Sequence, residues 1–232
     1  PYQATPEEEE LSQFVKVVLA DTLLSKTSDA VFNSDKVLNT WDAWTGTLAF
    51  SGQIFFDFAG YSTCAIGLAL MLGFYLTDNF RYPYAAIGFS DLWRRWHISL
   101  STWLRDYLYI PLGGNQKGVV RMYVALMITM LLGGLWHGAA WTFVIWGALH
   151  GIFLVVERLL KTVVSIKITA WNGILLALAT YTCVNFTWVF FRARKFETAQ
   201  NMIESMLFMN GDGVKILDSF SIVKVFVLIL LT

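Results

Sequence analysis

Charge is scarce in this chain. Lys, Arg, Asp and Glu make up only 15% of its 232 residues, against about 25% in a typical soluble domain. The 17 basic and 17 acidic residues cancel, which removes the long-range attraction that draws a basic protein to nucleic acid. Cysteine is nearly missing too: Cys64 and Cys183 each lie inside an apolar run. They fit neither a metal-ligand spacing nor a secreted disulfide framework, and read as small packed side chains. The sequence has no Gly-rich phosphate loop, no GxSxG elbow, no HExxH and no paired-Cys motif, so the chemistries those patterns serve lose their support. It shows no fixed-period repeat, no low-complexity segment, and nothing that calls for a metal.

Apolar residues fill the space left by charge. Hydrophobic residues make up 56% and aromatics 16%, and mean hydropathy is +0.54. Trp and Tyr favour membrane–water boundaries, so the expectation is an all-α, multi-pass integral membrane protein. Residues 47–76, "TLAFSGQIFFDFAGYSTCAIGLALMLGFYL", predict a first span. Helix of that length, about 45 Å at 1.5 Å per residue, exceeds one bilayer core, so Asp57 and Gly60 near its middle suggest a tilt, kink or break. Residues 121–161 predict two apolar pieces divided at Gly133-Gly134 and Gly138, in re-entrant fashion. Residues 169–191 predict a clean span, followed by the basic "RARK" of 192–195.

Two further segments read as amphipathic helices at the membrane surface. The first starts at Thr5, a good N-cap, with Pro6 at the first helical position and Glu7–Glu10 in the first turn. The second is one helix within 89–115, capped by Ser90 or Asp91 and stopped before Pro111 and Gly113-Gly114. Trp93, Trp96, His97, Leu100, Trp103, Leu104, Tyr107 and Leu108 form its apolar stripe. The chain opens on Pro1 and ends within the apolar run "SIVKVFVLILLT", so an internal fragment of a longer polytopic protein is expected, forming a single membrane domain over 1–232.

Three histidines carry the functional question. His137 lies in "GLWHGAAWTFVIWGALHG". An ionisable residue in an apolar segment is by default a functional hypothesis, and the glycines around it let backbone, ligand or another helix come close. The competing reading is a histidine hydrogen-bonded between packed helices. On a straight helix His150 falls about 140° round from His137, which separates the two and makes His150 a packing or supporting residue, while Trp141 shares the face of His137. His97, on the inward stripe of the interfacial helix, is a candidate base or orienter, or a packed side chain. Arg94, Arg95 and Arg105 either bind lipid head groups or grip the phosphate of a pantetheine or nucleotide carrier. Asp57 needs a partner or water; Arg94 and Arg95 are candidates.

The segments "DLWRRWHISLSTWLRDYLYIPLGGN" and "GGLWHGAAWTFVIWGALHG", with "QIFFDFAGYSTCAIGLALMLGF" and "NFRYPYAA" upstream in order, resemble the membrane-bound O-acyltransferase family. Within it they are most similar to the branch of alginate O-acetyltransferase membrane subunits, over roughly residues 5–195. The resemblance implies that His137 is the central catalytic residue and that His97 lines the same cavity. It also implies transfer of an acyl group from a thioester donor, acetyl-CoA or a carrier-bound thioester, to a hydroxyl acceptor. The acceptor would be a cell-envelope or exported polysaccharide, with or without a periplasmic acyltransferase partner, at a bacterial inner membrane; no tightly bound cofactor is implied. His137 then acts as general base, Trp136 and Trp141 wall the site, and the arginines approach the donor's phosphates. Two other classes stay open: a proton- or ion-coupled transporter using His137 and Asp57, and a non-catalytic scaffold subunit.

Overall fold

The computed structural model describes residues 14–164, 167–230 and 232. They fall into two compact units: residues up to Asp78 together with Arg192–Thr232, and residues Asn79–Phe191. The cap expected at Thr5 and the acidic turn after it lie outside the described residues.

In the first unit, α1 (Val15–Leu24) is wound as a π-helix and runs into α2 (Ser25–Phe32). α3 (Thr40–Met71) is unbroken for 32 residues and is long and apolar enough to cross a membrane. It starts seven residues before the expected 47 because the Asn39 side chain caps it, accepting the Asp42 N–H at 2.9 Å. It also stops short of 76. Gly73 takes φ +83°, and the N–H groups of Gly73 and Phe74 return to the carbonyls of Leu70 and Ala69, a Schellman closure that only a left-handed residue permits at low cost. Gly46 lets α2 lie against α3, since a Cβ there would fall 2.3 Å from Val31 Cγ1.

Asp42 is fully buried, and its Oδ2 accepts the N–H groups of Ile216 and Leu217. The loop before α10 (Ser219–Ile229) is thereby tied to α3. Arg192 pairs with Asp29 and lies over the rings of Phe32 and Phe50, 5.7 and 5.9 Å from their centroids. α9 (Phe196–Met206) packs on α3 through Ala199, Met202, Ser205 and Met206. Asp57 pairs with Lys16 at 2.8 Å. Its partner is therefore on α1, not Arg94 or Arg95, because the turn of sequence that α1 occupies brings a lysine beside α3.

In the second unit the single helix expected over 89–110 is broken. α4 (Phe89–Arg95) and α5 (Ile98–Leu104) are separated at Trp96–His97, and the chain winds on through Arg105–Tyr109 as a π turn. The start of α4 differs as well. Gly88, at φ +86°, is the N-cap, and its N–H goes to Thr180 Oγ1 at 2.9 Å. Asp91 reaches back to the Ile87 N–H, and Glu157 takes the Ser90 N–H, so three side chains share the work assigned to one cap.

α6 (Val119–His137) and α7 (Trp141–Val163) form a hairpin, broken at Gly138 as expected. Gly133 and Gly134 stay helical, and what they supply is close approach. A Cβ on Gly134 would lie 2.3 Å from the Phe143 carbonyl oxygen, and one on Gly147 would lie 2.4 Å from that of Met130. α8 (Ala170–Arg192) matches the expected span within a residue. With α3, helices α6, α7 and α8 are each long and apolar enough to cross a bilayer.

Candidate active site

His137 is the last residue of α6, and the break that follows turns its ring into an aromatic pocket. Trp146 stands edge-on to it at 5.2 Å between centroids and 87°, and Phe191 does so at 4.8 Å and 76°. Trp136 and Phe143 complete the surround at 4.9 and 6.0 Å. Rings met edge-to-face hold an imidazole in place without taking its nitrogens, and the half-buried His137 makes no hydrogen bond to the described residues.

His97 comes to the same place from the other side of Trp136, whose ring centroid is 6.3 Å away. Its backbone is left-handed, φ +43° and ψ +57°, a conformation costing a non-glycine residue on the order of 1–2 kcal/mol. Burial, with the neighbouring His137 ring adding to it, pulls the His97 imidazole down from 6.5 to about 4, so it is neutral at pH 7.

His150 does not stand apart, as the straight-helix reading expected. The break at Gly138 folds α7 back along α6, and Trp146, one turn before His150, lies between the two histidines. His150 is 4.7 Å from Trp146 and 5.2 Å from Trp93, centroid to centroid. It is fully buried, with Nε2 3.1 Å from Thr187 Oγ1. The Thr187 hydroxyl has one proton and donates it to the Val184 carbonyl at 2.7 Å. Thr187 therefore accepts from His150, which fixes the proton on Nε2 and leaves Nδ1 as a bare lone pair. Behind this layer Trp188 stacks on Trp146 and touches Trp96.

The other sequence candidates separate. Trp136 touches both His97 and His137. Trp141 is 78% exposed and makes no ring contact with either histidine, because the helix that would have given it the face of His137 ends at Gly138. Asp57 belongs to the first unit. Arg94 and Arg105 line a groove of about 500 Å³ with an apolar floor of Leu104, Leu126, Met130 and Leu154. Arg95 is engaged by Asp91 at 2.9 Å instead, and Arg105 is itself paired with its neighbour Asp106, Nε to Oδ1 at 2.7 Å and Nη2 to Oδ2 at 3.1 Å. The groove's third arginine, Arg158, was not singled out by sequence reasoning; it donates to Tyr109 Oη and Asn115 Oδ1. Trp146 was missed as well, although its spacing of four before His150 puts both on one helix face. Among the described residues no three of His, Cys, Asp or Glu converge as metal ligands would.

The family model of the membrane-bound O-acyltransferases matches this sequence over residues 11–197. The chain belongs to the membrane-bound O-acyltransferase family. It is similar to the probable alginate O-acetylase AlgI of Pseudomonas putida, with 49% identity over 197 residues, covering 85% of this chain and 39% of that protein. It is also similar to the peptidoglycan O-acetyltransferase of Helicobacter pylori, with 43% identity over 198 residues, covering 85% of this chain and 37% of that protein. A more distant relative is the teichoic acid D-alanyltransferase of Bacillus subtilis, at 30% over 158 residues, 63% of this chain and 40% of that protein. The chain thus spans about two fifths of the length of the curated relatives it matches. Family membership and the four span-length apolar helices among the described residues make it an integral membrane protein.

Proposed function

We propose that this chain carries the catalytic centre of a membrane O-acyltransferase, both units serving one domain, that moves an acetyl group from a thioester to a hydroxyl of a cell-envelope or exported polysaccharide. The observation that carries the reading is His137: an imidazole fixed by four aromatic rings, with neither nitrogen hydrogen-bonded among the described residues. In the proposed step, His137 accepts the acceptor hydroxyl's proton as that oxygen bonds to the thioester carbonyl carbon. The C–S bond breaks, and the imidazolium returns the proton to the departing thiolate, giving ester and free thiol. A positioned base contributes about 10²–10⁴-fold; holding donor and acceptor together must supply much of the remainder. Neutral His97, across Trp136, orients the acceptor or donates to the developing charge.

Acetyl-CoA or a carrier-protein thioester is the donor. The arginine-rimmed groove suits either, since both carry phosphate for Arg94, Arg105 and Arg158 and an extended arm for its apolar floor. The names of the relatives favour a polysaccharide or related envelope polymer as acceptor, directly or through a periplasmic partner, and a bacterial inner membrane as location.

The test is thioester consumption by the full-length protein in proteoliposomes, with and without added polysaccharide. Acetyl thioester loss that depends on acceptor, with acetyl recovered as ester, supports the reading. Proton or ion flux without acceptor-dependent thioester loss would replace the enzyme with a transporter.

A further inference from the structure

We propose that Asn79 is a positioning residue that holds His97 in the conformation the site uses. This rests on the reading of His97 as a participant in acyl transfer.

The segment just before the aromatic turn at Pro83–Ala85 runs antiparallel to the chain at the α4–α5 break, bridged at Phe80 and Trp96. The Arg81 N–H donates to the Arg95 carbonyl at 3.0 Å, before the break, and the Ile98 N–H donates to the Asn79 carbonyl at 3.1 Å, after it. These two bonds straddle His97. The Asn79 side chain then adds what backbone pairing cannot. Its Oδ1 accepts both the Ser99 N–H at 3.1 Å and the Ser99 hydroxyl at 2.7 Å, so one amide oxygen satisfies an orphan donor in the first turn of α5 and pins its side chain too. The Phe80 ring presses edge-on against Trp96 at 5.0 Å, closing the other flank.

A histidine at φ +43° lies outside its most favoured backbone regions and is held there by its surroundings. Without the clamp, the sequence "DLWRRWHISLSTWL" has the periodicity to close into one continuous helix. A left-handed residue is what turns the imidazole toward Trp136; a right-handed one would return it to the interfacial stripe. The geometry therefore gives Asn79 a role that acts through His97, with no contact to substrate required.

The experiment uses the full-length protein in membranes, with N79A, N79D, H97A and N79A/H97A, and has two independent readouts. Asp at 79 keeps an oxygen to accept from Ser99 and serves as the conservative variant. The first readout is amide hydrogen exchange in the peptide spanning 97–104, expected to speed up about tenfold in N79A and to stay near wild type in N79D. Unchanged exchange in N79A overturns the clamp. The second is acyl-transfer kinetics. N79A is expected to lower kcat about tenfold with KM within about twofold, N79D to recover most of it, and N79A/H97A to be no slower than H97A. An equal further loss on the H97A background would make Asn79 independent of His97 and overturn the proposal. Wild-type turnover in H97A would instead sink the reading of His97, whatever the exchange data show.

Discussion

His97 and His150 are both withdrawn from water, but by different means and with different consequences. For His97 the folded imidazole titrates near 4 while the unfolded one titrates near 6.5. Between those values the unfolded chain binds more protons, so stability falls as pH drops from about 6.5 toward 4 and levels off below. Replacing His97 by Asn, which tolerates the left-handed conformation and does not titrate, should remove that dependence. Thermal unfolding in detergent at pH 7 and at pH 5 should show the wild type losing ground relative to H97N; parallel losses would contradict the assigned burial. For His150 the dependence is on one acceptor. Thr187→Val leaves a buried Nε2–H without its partner and should lower stability by about 1–3 kcal/mol, read as a fall in Tm at pH 7. The His150 proton was not legible in the sequence, since Thr187 lies 37 residues away on another helix.

At the level of elements, the account depends on where the chain breaks. The glycine cluster of 133–138 announced a break but not which glycine makes it. Gly138 does, at φ +159°, while Gly134 and Gly147 bring α6 and α7 into backbone contact. Gly134→Ala should therefore destabilise the hairpin by about 1–3 kcal/mol, because a backbone carbonyl stands where the methyl would go. Gly133→Ala should be much milder, its nearest obstacle being the Leu104 side-chain end at 3.3 Å. Equal losses in Tm for the two would argue against the close crossing. The break at His97 was not legible at all. The 3-4 stripe of residues 93–108 is a good helical pattern, and the hydrogen bonds that override it come from Asn79–Arg81, outside the window that periodicity surveys.

At the scale of the whole chain, the helical class and the spans at 170–192 and 119–163 could be read from apolar run length. What could not be read was three-dimensional company. Trp146 gathers His137 and His150 only once α7 folds back. Arg158 joins Arg94 and Arg105 only across the groove, and Asp57 finds Lys16 because α1 packs on α3. Each needs the chain to fold back on itself, which spacing along one helix does not encode.

The central claim is that His137 does the chemistry. The most direct test is single-turnover acyl transfer from thioester to polysaccharide hydroxyl by the full-length protein, comparing wild type with His137→Ala and His137→Gln at matched membrane insertion and Tm. The account predicts a rate lower by about 10²–10⁴-fold in both variants, with donor binding within about threefold of wild type. Turnover near the wild-type rate in either variant would contradict it, and would return His137 to a packing role at the end of α6.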